Sequence, residues 1–397
     1  MRDLLRSEAM IALPTIFVAQ SILTMAAFAI PVVAPAAAPD IGIPTVYVGG
    51  FTAVVYFVAM VGGLFAGALV VKLGTVRVMQ MLLLASAAGT AAFTLGNVSA
   101  AIFCAVAVGI ATGPMNPAGS YLLARTTPGR WRAFVFSAKQ CATPMGGMLA
   151  GVVMPPLLLA YGWETAVAII AAAGLTVVLL IQMPRQRLDA GRDPAQPFSA
   201  GAFMQPLRIV LRSSALRAVA IMAFIYGGGQ VSVASYYVVF LTERIELSIA
   251  TAGLLYAIFS GCGIPVRLFW GVIAERYLRS RTILILSGLI MAAALTLIAN
   301  FGVGWPMLLV GAVTVLMGIG GNGWVGLLFA ETVRLAPDDQ AAEASAGAQF
   351  FAYGGIMAMP MVFGGIVAAT GRYDWAFYLL AALSLIGALQ LALTRTR

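Results

Sequence analysis

The chain has 397 residues, 61% of them hydrophobic and only 9% charged, against roughly 45–50% and about 25% in soluble proteins. So few charges cannot cover a water-facing surface, which excludes soluble enzymes; the net charge of +9 is explained by where the basic residues fall, not by a nucleic-acid partner. The 43 Gly and 19 Pro are scattered without period, and continuous apolar runs exceed the alternating segments of about 10 residues that build a membrane β-barrel, so collagen, low complexity and barrels are excluded too.

Apolar runs fall at about 11–33, 46–71, 77–96, 98–123, 133–159 and 163–183, then at 215–241, 250–274, 281–300, 305–330, 343–369 and 375–394. Each matches the roughly 20 residues that cross a hydrocarbon core. They predict an all-α membrane protein of twelve transmembrane helices. The Ala-Pro stretch at 34–39 imitates a signal-cleavage region, but the run before it is long and carries Pro14 and Gln20, so the first helix is expected to be retained. The segment 184–214 is the long polar stretch of the chain and divides it into an N-terminal half (1–183), a linker and a C-terminal half (215–397). Its end, rich in Ile, Val and Leu among Arg208 and Arg212, suits a short interfacial helix.

If the helices alternate, loops on one side collect 19 of the 23 basic residues, while the other side holds Arg244 and Arg372. The positive-inside rule then places both termini and the linker in the cytoplasm. Lys139 and Arg267 remain, and both lie within apolar runs.

The halves repeat. At an offset of 209, Gly109 falls on Gly318, Arg125 on Arg334, Pro128 on Pro337, Gln140 on Gln349 and Gly146 on Gly355. Weak internal symmetry of this kind is typical of secondary transporters. Around the second and third runs, Gly63, Ala66, Gly67, Lys72 and Gly74 stand in register with the pattern G-x-L-A-G-x-x-x-D-R-x-G-R-R, Leu64 and Arg77 each lie one place from it, and Val71 takes the place of the acid; a second copy keeps an acid-base pair as Glu275-Arg276.

On these motifs the chain resembles the major facilitator superfamily over its whole length. The segments NPAGSYLLAR (116–125) and FSAKQCATPMGGMLAG (136–151) are similar to bacterial carboxylate and cyanate-type porters. Arg267, one turn before the glycine of the eighth run, resembles the monocarboxylate and oxalate/formate transporters. The resemblance implies two pseudo-symmetric six-helix halves, with the fifth and eighth helices facing each other and the first, fourth, seventh and tenth lining a cavity. It also implies a monomer in the lipid bilayer that needs no cofactor. The Arg-rich, Ala- and Gly-rich composition points to a bacterial inner membrane.

A charge at the centre of a bilayer costs at least about 2.5–3.5 kcal/mol. Lys139 and Arg267 lie roughly 10–12 Å inside their helices, counting residues from the basic ends at 1.5 Å each. All fourteen acids sit near termini, loops or helix ends, so an anionic substrate is the expected counter-ion, gripped by Arg267 in two-pronged fashion and by Lys139 as a point charge. Snorkelling of Lys139 to the surface, and pairing of Arg267 with backbone carbonyls or Glu275, are the structural alternatives. Gln140, Asn116, Asn322, Gln20, Tyr226 and Gln230 are candidate substrate contacts, each also able to serve as an interhelical hydrogen bond. Glu275, Arg276, Glu331, Arg334, Lys72 and Arg77 are candidate gating residues at helix ends. GPMNP (113–117) and GGNGW (320–324) are candidate bends.

The chain has no histidine and no P-loop pattern, so neither the usual catalytic triads nor ATP hydrolysis fits. The expected function is secondary transport of a small organic anion by alternating access, through proton symport or anion exchange. The alternative is efflux of drugs or other hydrophobic compounds, favoured by 19 Met.

Overall fold

A computed structural model describes residues 7–63, 65–128, 131–190, 192, 204–336 and 340–394. Among them twelve helices are long and apolar enough to cross a membrane, and no strand occurs. Residues 191 and 193–203 of the linker lie outside the described residues, as does the side chain of Glu275.

The chain forms two compact units. Unit 1 takes residues up to 43 and 54–199, and unit 2 takes 44–53 and 200–397, so the main division falls in the linker and a second one inside the second span. Unit 1 carries α1 (Ala9–Ile41), α2 (Val48–Gly63, whose first turns group with unit 2), α3 (Ala66–Leu73), α4 (Thr75–Phe93), α5 (Val98–Thr126), α6 (Arg132–Gln140), α7 (Ala142–Tyr161), α8 (Trp163–Leu180) and α9 (Gln182–Leu188). Unit 2 carries α10 (Met204–Arg212), α11 (Ser214–Glu243), α12 (Ile249–Gly261), α13 (Gly263–Arg276), α14 (Ser280–Ala299), α15 (Met307–Asn322), α16 (Trp324–Leu335), α17 (Ala341–Thr370) and α18 (Tyr373–Leu393).

Local chemistry sets several of these ends. The Asn97 side chain accepts from Ala100 N, and the Ser213 and Ser248 hydroxyls accept from Leu216 N and Thr251 N. Each satisfies one of the orphan amides at a helix start. α1 and α17 end where Gly42 and Gly371 take φ of +80° and +68°, a left-handed turn that glycine adopts without a Cβ clash.

The structure moves some predicted boundaries. α1 does not stop at residue 33 but runs through the Ala-Pro stretch to Ile41, with Pro31, Pro35 and Pro39 inside it. Pro31 is buried, as are Ala34, Ala37 and Ala38, so packing holds a helix whose own hydrogen bonds prolines have thinned. GPMNP stays helical within α5. The breaks fall elsewhere: at Cys141 between α6 and α7, at Cys262 between α12 and α13, and at Gly323 between α15 and α16. Only the last lies in a segment read as a bend from sequence.

The two units repeat the same packing plan. α1 packs on α7 as α11 packs on α17, α4 on α5 as α14 on α15, and α4 on α8 as α14 on α18. Glycines paired by the sequence repeat occupy matching crossings. A Cβ on Gly146 would overlap the Ser21 carbonyl of α1, and one on Gly355 would overlap the Phe224 carbonyl of α11. Gly109 and Gly318 likewise face the Val55 and Phe259 carbonyls, where a Cβ would approach to 2.6 and 2.9 Å. Small residues let these backbones touch, which is how helices bind where lipid removes the hydrophobic drive between them.

Candidate functional site

Each unit gathers one intramembrane cation and a few amides beside a helix break. In unit 1, Lys139 is the penultimate residue of α6 and only 1% exposed, so its stem does not reach the surface. Its ammonium donates to the Asn116 carbonyl at 2.8 Å, the Asn116 Oδ1 at 2.5 Å and the Ser120 hydroxyl at 2.7 Å. Asn116 and Ser120 stand one turn apart on α5 and therefore share a face. Three donors meet three oxygens, and all three oxygens are neutral. Among the described residues Lys139 has no carboxylate partner.

The break beside Lys139 is held from α1. Gln20 Nε2 donates to Thr143 Oγ1 at 3.1 Å and Ser21 donates to the Ala142 carbonyl at 3.2 Å. Gln20 is 6% exposed, and its amide oxygen has no hydrogen-bond partner. Such an atom costs about 1–3 kcal/mol when buried unpaired. Gln140 is half-buried next to Lys139 and hydrogen-bonded or in polar contact itself.

In unit 2, Arg267 Nε donates to the Asn322 carbonyl at 2.9 Å. Asn322 ends α15 immediately before the Gly323 break, where a carbonyl needs a donor from outside the helix. Its side chain donates to the Phe259 carbonyl at 2.9 Å and accepts from Gln230 Nε2 at 2.8 Å. Gln230 accepts in turn from Trp324 Nε1 at 3.0 Å. One glutamine of α11 thus bridges both sides of the break. Arg267 is half-buried, less enclosed than Lys139.

The structure leaves Tyr226 outside this network. Its hydroxyl donates to the Leu284 carbonyl of α14, and its ring lies edge-on to Trp324 at 6.4 Å. Packing against α14 and α18 explains its full burial. Trp324 enters the network through its indole N–H, and Ser120, Ser21 and Thr143 were not among the residues singled out from sequence. Ser120 was readable as the residue one turn beyond Asn116; the others depend on which helices meet.

At the helix ends, the Arg334 guanidinium forks onto Glu331, at 2.9 and 2.6 Å. Glu331 is 1% exposed. Arg276, Lys72 and Arg77 are exposed, and Glu275 lies outside the described side chains. A carboxylate meets the start of α4: Asp189, beyond α9, accepts from Val76 N at 2.8 Å and Arg77 N at 3.1 Å. It caps the start of α4 from over 100 residues away. Gly74, at φ +92°, leaves the room, since a Cβ there would collide with the Asp189 carboxylate.

In comparisons with known proteins, residues 16–360 and 219–397 match the Major Facilitator Superfamily. No curated protein matches the chain. Among solved structures, a mutant of the nucleoside transporter NupG is similar with a TM-score of 0.78 at 13% identity, over 96% of this chain and 99% of that one. A POT family transporter in complex with 5-aminolevulinic acid gives a TM-score of 0.76 at 12% identity, over 95% and 94%. A bacterial homologue of the human lysosomal transporter Spinster, inward-facing and occupied, gives 0.73 at 14%, over 96% and 95%. At these identities the likeness is one of fold.

Proposed function

From the premise that this chain belongs to the Major Facilitator Superfamily, we propose that it is a secondary transporter of a small organic anion, a carboxylate by preference. The observation that carries this reading is the Lys139 ammonium, enclosed by three neutral oxygens. Neutral dipoles satisfy its hydrogen-bonding directions but leave a net charge in a low-dielectric region. An anion supplies the missing charge. Arg267 adds a second cation whose planar fork suits a carboxylate.

In this reading Asn116 and Ser120 hold the Lys139 ammonium while no substrate is bound, and Asn322 does the same for Arg267. Substrate oxygens replace neutral partners with charged ones, a stronger bond at little extra desolvation. Gln20, with an amide oxygen free of partners, and Gln230 offer polar contacts beside the breaks. Transport proceeds by alternating access, with both termini and the linker in the cytoplasm as the charge bias of the loops requires. Glu331 and Arg334 serve as a latch at the cytoplasmic helix ends. The membrane is read as a bacterial inner membrane, and the protein as a monomer.

The test is uptake into proteoliposomes across a panel of labelled mono- and dicarboxylates, cyanate and nitrate. Wild type takes up at least one of them, and K139Q and R267Q, checked for folding by size exclusion, lose that uptake. Undiminished transport by either variant overturns the assignment of that residue. Wild type that carries only uncharged or cationic drugs favours efflux of hydrophobic compounds instead.

A further inference from the structure

Unit 2 contains a cavity of about 240 Å3 that shares no residue with the Arg267 cluster. It lies where α11 and α14 end and α18 begins, the opposite end of the spans from Arg276 and Arg334. Arg244 and Arg372, the two basic residues on the linker-free side in the charge sorting, both line it. Far apart in sequence, they meet because the three helix ends meet.

The charges around the cavity are not equally occupied. The Arg372 guanidinium forks onto Asp374, at 3.1 and 2.5 Å, and lies over the Trp375 ring at 5.5 Å. The Glu243 carboxylate, next to Arg244 in the chain, accepts from the Tyr373 hydroxyl at 3.0 Å. Among the described residues, the Arg244 guanidinium makes no hydrogen bond or ion pair. Asn300 spends one amide N–H on the Thr296 carbonyl and its oxygen on Tyr378, which leaves a second N–H uncommitted. One wall is aromatic: the Phe240 ring stacks at 6.4 Å on Phe301 and lies 5.6 Å from Tyr373.

We infer that this cavity is a second binding site, for a small carboxylate with a flat apolar body. The carboxylate is held by Arg244, which has no other partner, with the spare Asn300 N–H beside it. The body lies against Phe240, Phe301 and Tyr373. A volume of about 240 Å3 falls just under the range of about 300–1,000 Å3 typical of drug-sized ligands, which suits a single ring better than a peptide or a nucleoside. On the positive-inside reading the site opens to the outer face, distinct from the intramembrane cations.

Equilibrium dialysis of the purified full chain against labelled benzoate, with benzamide as the uncharged isostere, tests this. Benzoate is expected to bind at least tenfold more tightly than benzamide. R244Q and A299W, which fills the cavity without changing charge, are each expected to weaken benzoate at least tenfold, whereas R244K stays within about threefold. Arg244 is exposed and unbonded, so R244Q leaves the fold intact, and A299W checks the site by shape alone. Benzoate no tighter than benzamide, or unchanged by both R244Q and A299W, overturns the proposal. Binding lost in R267Q but kept in R244Q also overturns it, while leaving the transport reading standing.

Discussion

At the scale of single residues, the energetics of the site rest on charges whose partners are short of charge. Asn116 gives Lys139 two of its three acceptors, and hydrogen bonds to a charged group are worth about 1.5–3 kcal/mol each. N116A removes the side-chain one and is expected to lower thermal stability by about that amount, read as a drop in melting temperature in detergent. If an anion is the true counter-ion, saturating substrate restores most of the loss, because ligand stabilises the folded state by mass action. A drop that substrate does not recover would separate Asn116 from the binding role. Glu331 presents the converse case, a buried carboxylate relying on one fork. R334A leaves that charge without its partner and should cost more stability than E331Q, which leaves an exposed arginine in water. Equal losses in the two variants would mean the pair contributes only as a surface ion pair. Lys139 and Arg267 were legible from sequence, since charges inside apolar runs are rare. Their neutral partners were partly legible: Asn116 and Asn322 as interruptions of apolar runs and Ser120 as the residue one turn beyond Asn116, whereas the Gln230–Trp324 bond beside Asn322 appeared only once the helices were placed.

At the scale of elements, breaks and caps are decided by contacts between helices. Cys141 and Cys262 carry no breaking chemistry, yet α6 and α12 end there, and free thiols at both positions behave as small apolar side chains. At the first of these breaks, Ser21 and Gln20 of α1 meet the opening residues of α7. GPMNP shows the reverse: two prolines, and a helix that continues because its neighbours support it. The Asp189 cap is the clearest long-range element. D189A exposes two amides at the start of α4 and is expected to cost about 0.5–2 kcal/mol, the range for loss of a cap. Faster hydrogen exchange confined to Val76, Arg77 and the first turn of α4 is the matching signature; unchanged exchange there would show that water caps the helix equally well. G74A should produce the same signature, since its Cβ and Asp189 compete for one space. No local pattern could have linked residue 74 to residue 189, because a carboxylate serves any helix start that the fold brings to it.

At the scale of the whole molecule, the internal repeat turns one prediction into a pair. Gly146 and Gly355 occupy the same crossing in the two units, so G146L and G355L are expected to be similarly damaging, each costing several kcal/mol by forcing apart helices that have no room to give. Fluorescence-detected size exclusion after a heat challenge measures both; a large loss in one variant and none in the other would mean the repeat is ancestral only in sequence. Energy coupling also belongs to the whole molecule. On the proposed transport reading, coupling is by proton symport or by anion exchange. Uptake that collapses with the pH gradient identifies symport, and uptake that survives on internal anion identifies exchange.

Composition and run length alone determined that the chain is a twelve-span membrane protein, because a polar backbone in lipid has few ways to satisfy itself and helices about 20 residues long are the simplest. The repeat, the glycine register and the two misplaced cations also belong to the sequence, since each is a property of spacing along one chain. Which oxygens surround Lys139, where the spans break, and how Asp189 comes to cap α4 were settled only by the tertiary structure. Those contacts join residues tens to hundreds of positions apart, and their strength depends on distance and burial in space, neither of which is written in the order of the residues.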